Sequence, residues 1–254
     1  MSNRMKALYS EVVFERRILL ACMVLLGLSI IAWTVAMGTN YWLVASSPED
    51  KLILMGEVGM HNGTKVFLGG QSGLFRSCNW GYTQIFRSNG TTERHPFKDC
   101  NKHDLFPPEM KQKSERRADE DATLINYHRA DVSFAIISMF IMLMGFGFSV
   151  YTFRNPRYTF KRLAGGIHFI TCACVMMVIQ VKLALAEYGG KKEHWLFPRG
   201  SDVTYGFSFW LAWIVFSCNL LVGFCFMIFS RKRKRDRAPN DEMSMADEPT
   251  IIGR

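Results

Sequence analysis

Seven cysteines, six histidines and three polar residues isolated inside apolar runs are where this 254-residue chain could do redox, metal or ion chemistry. Cys78 lies in the polar stretch QSGLFRSCNW and Cys100 in FKDCNK, whereas Cys22, Cys172, Cys174, Cys218 and Cys225 fall inside long apolar runs. A thiol in such a run packs as a small hydrophobe, and Cys22 is also a candidate for palmitoylation. Cys172 and Cys174 have C-x-C spacing, but no His, Asp or third Cys is close enough in sequence to complete four ligands, and His168 lies toward the other, cytosolic side of that run. No metal is expected. His61, His95, His103, His128 and His194 are scattered through polar loops and are expected to be solvated. HExxH, GxSxG and P-loop patterns do not occur, so no catalytic residue and no cofactor are expected, and the chain does not read as an enzyme. The remaining candidates are Gln180 and Lys182, in the outer part of the third apolar run, and Asn219, in the middle of the fourth. Ionisable and polar groups at membrane depth are candidates for an ion path or a contact with a partner's helix. Lys182 is expected to snorkel to the interface about one turn away, while Asn219 is open between a hydrogen bond within the bundle and a partner contact.

Those residues are carried by four runs, Ile18–Gly38, Val132–Phe153, Leu163–Ala186 and Phe207–Phe229, of which the first, second and fourth hold no charge. Each reaches the roughly 20 residues that a helix needs to cross the hydrocarbon, so four transmembrane spans are expected at 18–39, 132–153, 163–186 and 207–230. The first run is too long for a signal-peptide core and is read as a retained span. Gly145, Gly147, Gly165, Gly166 and Gly223 permit close helix approach.

Orientation follows from Lys and Arg. The segment 1–17 carries Arg4, Lys6, Arg16 and Arg17, the connection 154–162 carries Arg154, Arg157, Lys161 and Arg162 without an acid, and 231–254 opens with RKRKRDR before turning acidic. Residues 43–131 hold 12 basic and 12 acidic side chains, and 187–205 hold three of each. The positive-inside rule therefore puts both termini and 154–162 in the cytosol, and the loops 40–131 and 187–206 outside. Sequons at Asn62 and Asn89 fall in the first of those loops, as glycosylation would require. The net charge of +9 is then a property of the cytosolic edges rather than a sign of nucleic-acid binding; Arg231, Lys232, Arg233, Lys234 and Arg235 are expected to face anionic headgroups. Only Cys78 and Cys100 are left on the oxidising side, and a disulfide between them is expected.

Within the first loop, Trp42–Ala45, Lys51–Met55, Lys65–Leu68, Gly73–Trp80 and Tyr82–Phe86 read as short strands separated by Ser-Pro, Asn-Gly and Gly-Gly breakers, and Met110–Asp131 as a helical lead-in to the second span. Trp42 and Phe75 are expected to anchor this loop at the membrane surface. The expected fold is membrane α-helical: a left-handed four-transmembrane-helix bundle with a small extracellular β-sheet built mainly from the first loop.

Trp42 after the first span, Gly73-Leu74-Phe75 with Arg76 and Cys78, and then Cys100 resemble the W…GLW…C…C signature of the claudin and calcium-channel gamma-subunit superfamily. Gly38-Thr39-Asn40-Tyr41-Trp42 looks like the GTDYW that ends the first span in its gamma and stargazin branch, and Tyr205-Gly206-Phe207-Ser208-Phe209 resembles the YGWSF with which the fourth begins there. The chain departs from the pattern in having Phe75 where the motif has Trp, and in cysteines 22 positions apart. Ile251-Ile252-Gly253-Arg254 also lacks the aliphatic carboxyl end that a PDZ groove takes, so no PDZ tail motif is expected. The resemblance implies an auxiliary subunit at the plasma membrane that binds a pore-forming channel or receptor subunit. The alternative is claudin-like self-association at cell junctions, with Lys65, Arg76 and Arg87 setting ion preference. Four spans with one charge among them do not line a pore of their own.

Overall fold

The computed structural model describes residues 3–48, 53–58, 63–86, 91–103, 105, 115–154, 158–191, 197–198 and 200–230. Asn62, Asn89, Arg87, His61, His194 and Arg231 to Arg235 lie outside them. The long apolar runs form helices α1 (Asn3–Gly38), α2 (Glu115–Arg154), α3 (Tyr158–Lys191) and α4 (Phe207–Ile228). Their stretches Val13–Gly38, Thr123–Arg154, Thr159–Glu187 and Phe207–Ile228 are long and apolar enough to cross a membrane. A helix satisfies its own backbone groups, which is why such runs are helical in lipid whatever their β-branched content. Each helix packs on two others: α2 on α1 and α3, α4 on α1 and α3. At the end of the bundle away from the sheet, Lys161 pairs with Glu15 and donates to the Phe229 carbonyl at 3.5 Å, tying α3 to α1 and to the end of α4.

Between α1 and α2 the chain forms β1 (Leu43–Ser46), β2 (Ile53–Val58), β3 (Gly63–Ser72), β4 (Arg76–Phe86) and β5 (Thr92–Lys102), and β6 (Asp202–Tyr205) is added just before α4. The sheet runs β5-β4-β3-β1-β6 and every pairing is antiparallel. β3 is long enough to take β2 against Gly63–Phe67 and β1 against Gly69–Ser72 along one side. Together these elements are a claudin-like four-span membrane fold carrying a small antiparallel sheet.

Three strand assignments need correction. Gly69-Gly70 does not break a strand but lies within β3, because a Cβ on Gly69 would stand 2.7 Å from the Trp80 ring, and one on Gly70 would meet the Asn79 amide and the Phe197 ring. Gly81 likewise lies inside an unbroken β4, where a side chain would collide with the Val66 carbonyl. These glycines permit close approach of neighbouring strands and side chains rather than marking turns. The third correction is β5, TERHPFKDCNK, which shows no alternation of apolar and polar residues because it is an edge strand with both faces largely exposed.

Candidate functional site: a buried ion pair under the sheet

The end of α1 sets the geometry. Past Gly38 the chain turns so that the Trp42 indole folds back beneath the sheet, where its Nε1 donates to the Ala36 carbonyl at 2.7 Å and its ring meets Trp33 edge-on, 6.1 Å between centroids. That bond satisfies one of the carbonyls left open where a helix stops. Trp42 is fully buried, so it does not sit at the membrane surface as its sequence position suggests; of the two expected anchors only Phe75, 42% exposed, is at a surface.

The turn between β3 and β4 comes down onto the same place. Gly73 N–H donates to the Arg76 carbonyl at 2.9 Å, and a Cβ on Gly73 would stand 2.8 Å from Asn40 Cα, so only glycine lets the turn lie against the end of α1. Leu74 enters the core with Trp33, Trp42, Val178 and Phe209, while Phe75 and Arg76 point outward.

Lys182 of α3 meets this turn from below. Its ammonium is 2.7 Å from Asp131 Oδ2 on α2, donates to the Gly73 carbonyl at 2.9 Å, and lies 5.6 Å from the centre of the Trp42 ring. Lys182 is 1% exposed and Asp131 0%. The expected snorkelling to the interface is therefore wrong: the carboxylate, the carbonyl and the aromatic face replace the water that snorkelling would have sought. One side chain thereby joins α2, α3, the β3–β4 turn and the end of α1.

Three residues before Asp131, on the same face of α2, His128 is buried and stacks on His103 at 4.0 Å between ring centres. These two histidines are thus packed rather than solvated, and they hold the end of β5 against α2, where His103 N–H donates to the Phe75 carbonyl and Arg129 Nε to the Leu105 carbonyl. His95 is exposed beside Glu93 at 3.6 Å.

The start of α4 is clamped to the same junction. Gly206 N–H donates to the Trp42 carbonyl at 3.0 Å, Ser208 N–H to the Tyr41 carbonyl at 3.1 Å, and the Ser208 and Thr39 hydroxyls are 2.6 Å apart. Tyr205 stacks on Phe209, and Tyr41 packs against Phe207. A Cβ on Gly206 would run into the Tyr41 carbonyl. Gly206→Ala is expected to push α4 off the end of α1 at a cost of about 1–3 kcal/mol, seen as a lowered Tm of the purified protein in nanodiscs.

Cys78 and Cys100 face each other across β4 and β5 and form a disulfide. Gln180 faces outward from α3, apart from the ion pair, and Asn219 is buried between helices, donating to Ser29 Oγ and the Val215 carbonyl at 2.9 Å each. The described residues contain no group of three side chains placed to hold a metal ion. What the buried pair can do is mechanical: it fixes the sheet to the bundle. Sequence reasoning missed Asp131 by assigning it to the loop, although an acid at the edge of one apolar run and a lone lysine at the same end of the next are a pair that hydrocarbon would drive together.

Four spans and an antiparallel, disulfide-stapled sheet between the first two define the class as four-span membrane proteins of claudin type. The chain belongs to the family described as PMP-22/EMP/MP20/Claudin tight junction, whose model matches residues 27–228. It is similar to epithelial membrane protein 2 of Homo sapiens and of Pan troglodytes, 32% identical over 68 residues in each case. That match covers 27% of this chain and 40% of each relative.

Proposed function

We propose that the protein is a non-catalytic auxiliary subunit of the plasma membrane, resembling calcium-channel gamma and stargazin-like proteins, that binds a pore-forming channel or receptor subunit and biases its gating or trafficking. The observation that carries this reading is the outer edge of the sheet. β5 exposes Glu93, Arg94, His95, Lys98, Asp99 and Lys102, at least in part, and has Pro96 in its middle. Charge and proline on an edge strand oppose its pairing with a second copy, so this edge of the sheet is poorly made for edge-to-edge polymers, while its charged surface suits a partner's extracellular domain. In this reading both termini are cytosolic, Asn62 and Asn89 carry glycans on the sheet side, and Arg231 to Arg235 rest on anionic headgroups. Because the sheet is seated on the helices through Lys182, a partner that touches both meets one rigid body. It alters gating only through different contact energy with the partner's open and closed states.

Claudin-like self-association at cell junctions is the second reading, and the family's own description favours it. Purification of the tagged protein from native tissue in mild detergent, with mass spectrometry of what accompanies it, separates the two. A near-stoichiometric pore-forming subunit whose currents change when this chain is removed is the expected result. Self-oligomers with junction proteins and no channel would replace the auxiliary reading by the barrier one.

A further inference from the structure

Deeper in the bundle, away from the sheet, each helix contributes one fully or almost fully buried polar side chain to a single cluster: Ser29 from α1, Ser149 from α2, His168 from α3 and Asn219 from α4. Ser149 Oγ is 2.9 Å from His168 Nε2, and Asn219 Nδ2 is 2.9 Å from both Ser29 Oγ and the Val215 carbonyl. Two atoms of the cluster, His168 Nδ1 and Asn219 Oδ1, have no hydrogen bond of ordinary geometry with the described residues. The two side chains interact with each other, and these are the atoms each has left to offer.

We infer that Ser149, His168, Asn219 and Ser29 form one directed hydrogen-bond chain through the membrane-embedded bundle, closed by His168 Nδ1–H donating to Asn219 Oδ1, and that this chain sets the rotational register of the four helices. The direction follows from counting donors. The Val215 carbonyl can only accept, so the amide atom 2.9 Å from it is the Asn219 NH2, and Oδ1, an acceptor, is the atom turned away from it. The group that reaches it is His168, which must therefore carry a proton on Nδ1. A neutral ring is the form that hydrocarbon favours, and it then leaves Nε2 as an acceptor for the Ser149 hydroxyl.

A second feature shows that the place of the ring is built. A Cβ on Gly145 would lie 3.0 Å from both His168 Cε1 and Ile167 Cγ2 and 3.3 Å from His168 Nδ1, whereas one on Gly147, two residues on in the same helix, would meet nothing within 4 Å. Gly145 opens the gap and Ser149, one turn later, supplies the hydroxyl. The register matters because lipid tails are as apolar as the helix faces they cover, so apolar packing alone discriminates weakly between rotations, while turning any one helix breaks the chain and strands polar atoms in hydrocarbon. The chain therefore decides which faces the bundle shows to lipid or to a partner.

The test uses the full chain, labelled with 15N-histidine, in nanodiscs, with the ring nitrogens of the buried histidine identified by their shift in Ser149→Ala. Protonation at Nδ1 with an unprotonated Nε2 is expected; protonation at Nε2 alone, or at both nitrogens, overturns the inference. Correlating the ring nitrogens of His168 with its own backbone and with Ile167 and Phe169 in uniformly 13C,15N-labelled chain gives the same assignment on the unaltered protein, so the reading holds even where a variant fails to reach the membrane. A second readout is thermal unfolding of Ser149→Ala, Asn219→Leu and the double variant. The two residues are linked through His168, so the double variant is expected to lose distinctly less Tm than the sum of the singles, and strict additivity overturns the chain. Gly145→Ala is expected to shift the His168 ring nitrogens as well as lower Tm, where Gly147→Ala does neither; unshifted ring nitrogens in Gly145→Ala overturn the claim that the gap is made for the ring.

Discussion

Replacing Lys182 with Met while Asp131 stays in place is expected to destabilise the protein by about 3–5 kcal/mol, because a carboxylate is left buried without a counter-charge. Asp131 is 0% exposed, and its Oδ1 accepts no hydrogen bond from the described residues, so the lysine is what neutralises it. Asp131→Asn is expected to be damaging for the reciprocal reason, since Lys182 would keep only the Gly73 carbonyl and the face of Trp42. The double variant Asp131→Leu with Lys182→Met should recover most of the loss, as buried pairs replaced together by apolar side chains of similar size generally do. Thermal unfolding in nanodiscs of the two single variants and the double checks this. A Lys182→Met protein within about 1 kcal/mol of the unaltered chain would show that the pair is solvated and the seat is not formed.

The double variant also separates two roles of the seat. It removes the charge problem but leaves the Gly73 carbonyl without its donor, so the bundle should recover while the sheet is held less firmly. Faster proteolysis of the β3–β4 turn in a protein of nearly normal Tm is the expected signature. If the auxiliary reading holds, the same variant should still accompany its partner and change its gating less, because a sheet that tilts freely transmits less of any difference between the partner's states.

The four spans were legible because about 20 uninterrupted apolar residues have few other uses, and the superfamily was legible because Trp42, Gly73, Leu74, Cys78 and Cys100 keep their order along the chain. What those residues do was not legible. Gly73 reads as the first residue of a strand and as part of a family motif, and only the packed structure shows that it lies in the turn before β4, that its carbonyl holds Lys182 and that its missing side chain admits Asn40. Lys182 was misread because snorkelling is a property of one helix end, whereas a buried pair depends on which residue the neighbouring helix brings alongside. Ser29 and Ser149 gave no signal for a similar reason: a small polar residue in an apolar run looks alike whether it bonds its own helix or another, and His168 stood out only as a metal ligand too far from Cys172 and Cys174. β5 escaped because its side chains face solvent, and exposed charges with one proline carry no strand periodicity.

Exposure also makes β5 the element most dependent on its covalent tie. It buries little of its own surface and is held by its ladder to β4, by the Lys65–Asp99 pair at 3.1 Å, by Lys65 over the Phe97 ring, and by the disulfide between Cys78 and Cys100. The ion pair is solvent-exposed and contributes at most about 1 kcal/mol. Closing a loop of this length contributes about 3 kcal/mol, so the disulfide outweighs the ion pair at that edge. Cys78→Ser and Cys100→Ser are each expected to raise the population of a peeled β5 by on the order of a hundredfold. Each also leaves one thiol free to form wrong bridges, so the single variants should fare worse than the double one. The single variants are expected to be retained in the secretory pathway and cleaved early within the β4–β5 hairpin by added protease. Normal delivery of both to the cell surface, with an intact hairpin, would mean that the ladder alone holds the edge and that the bridge is dispensable.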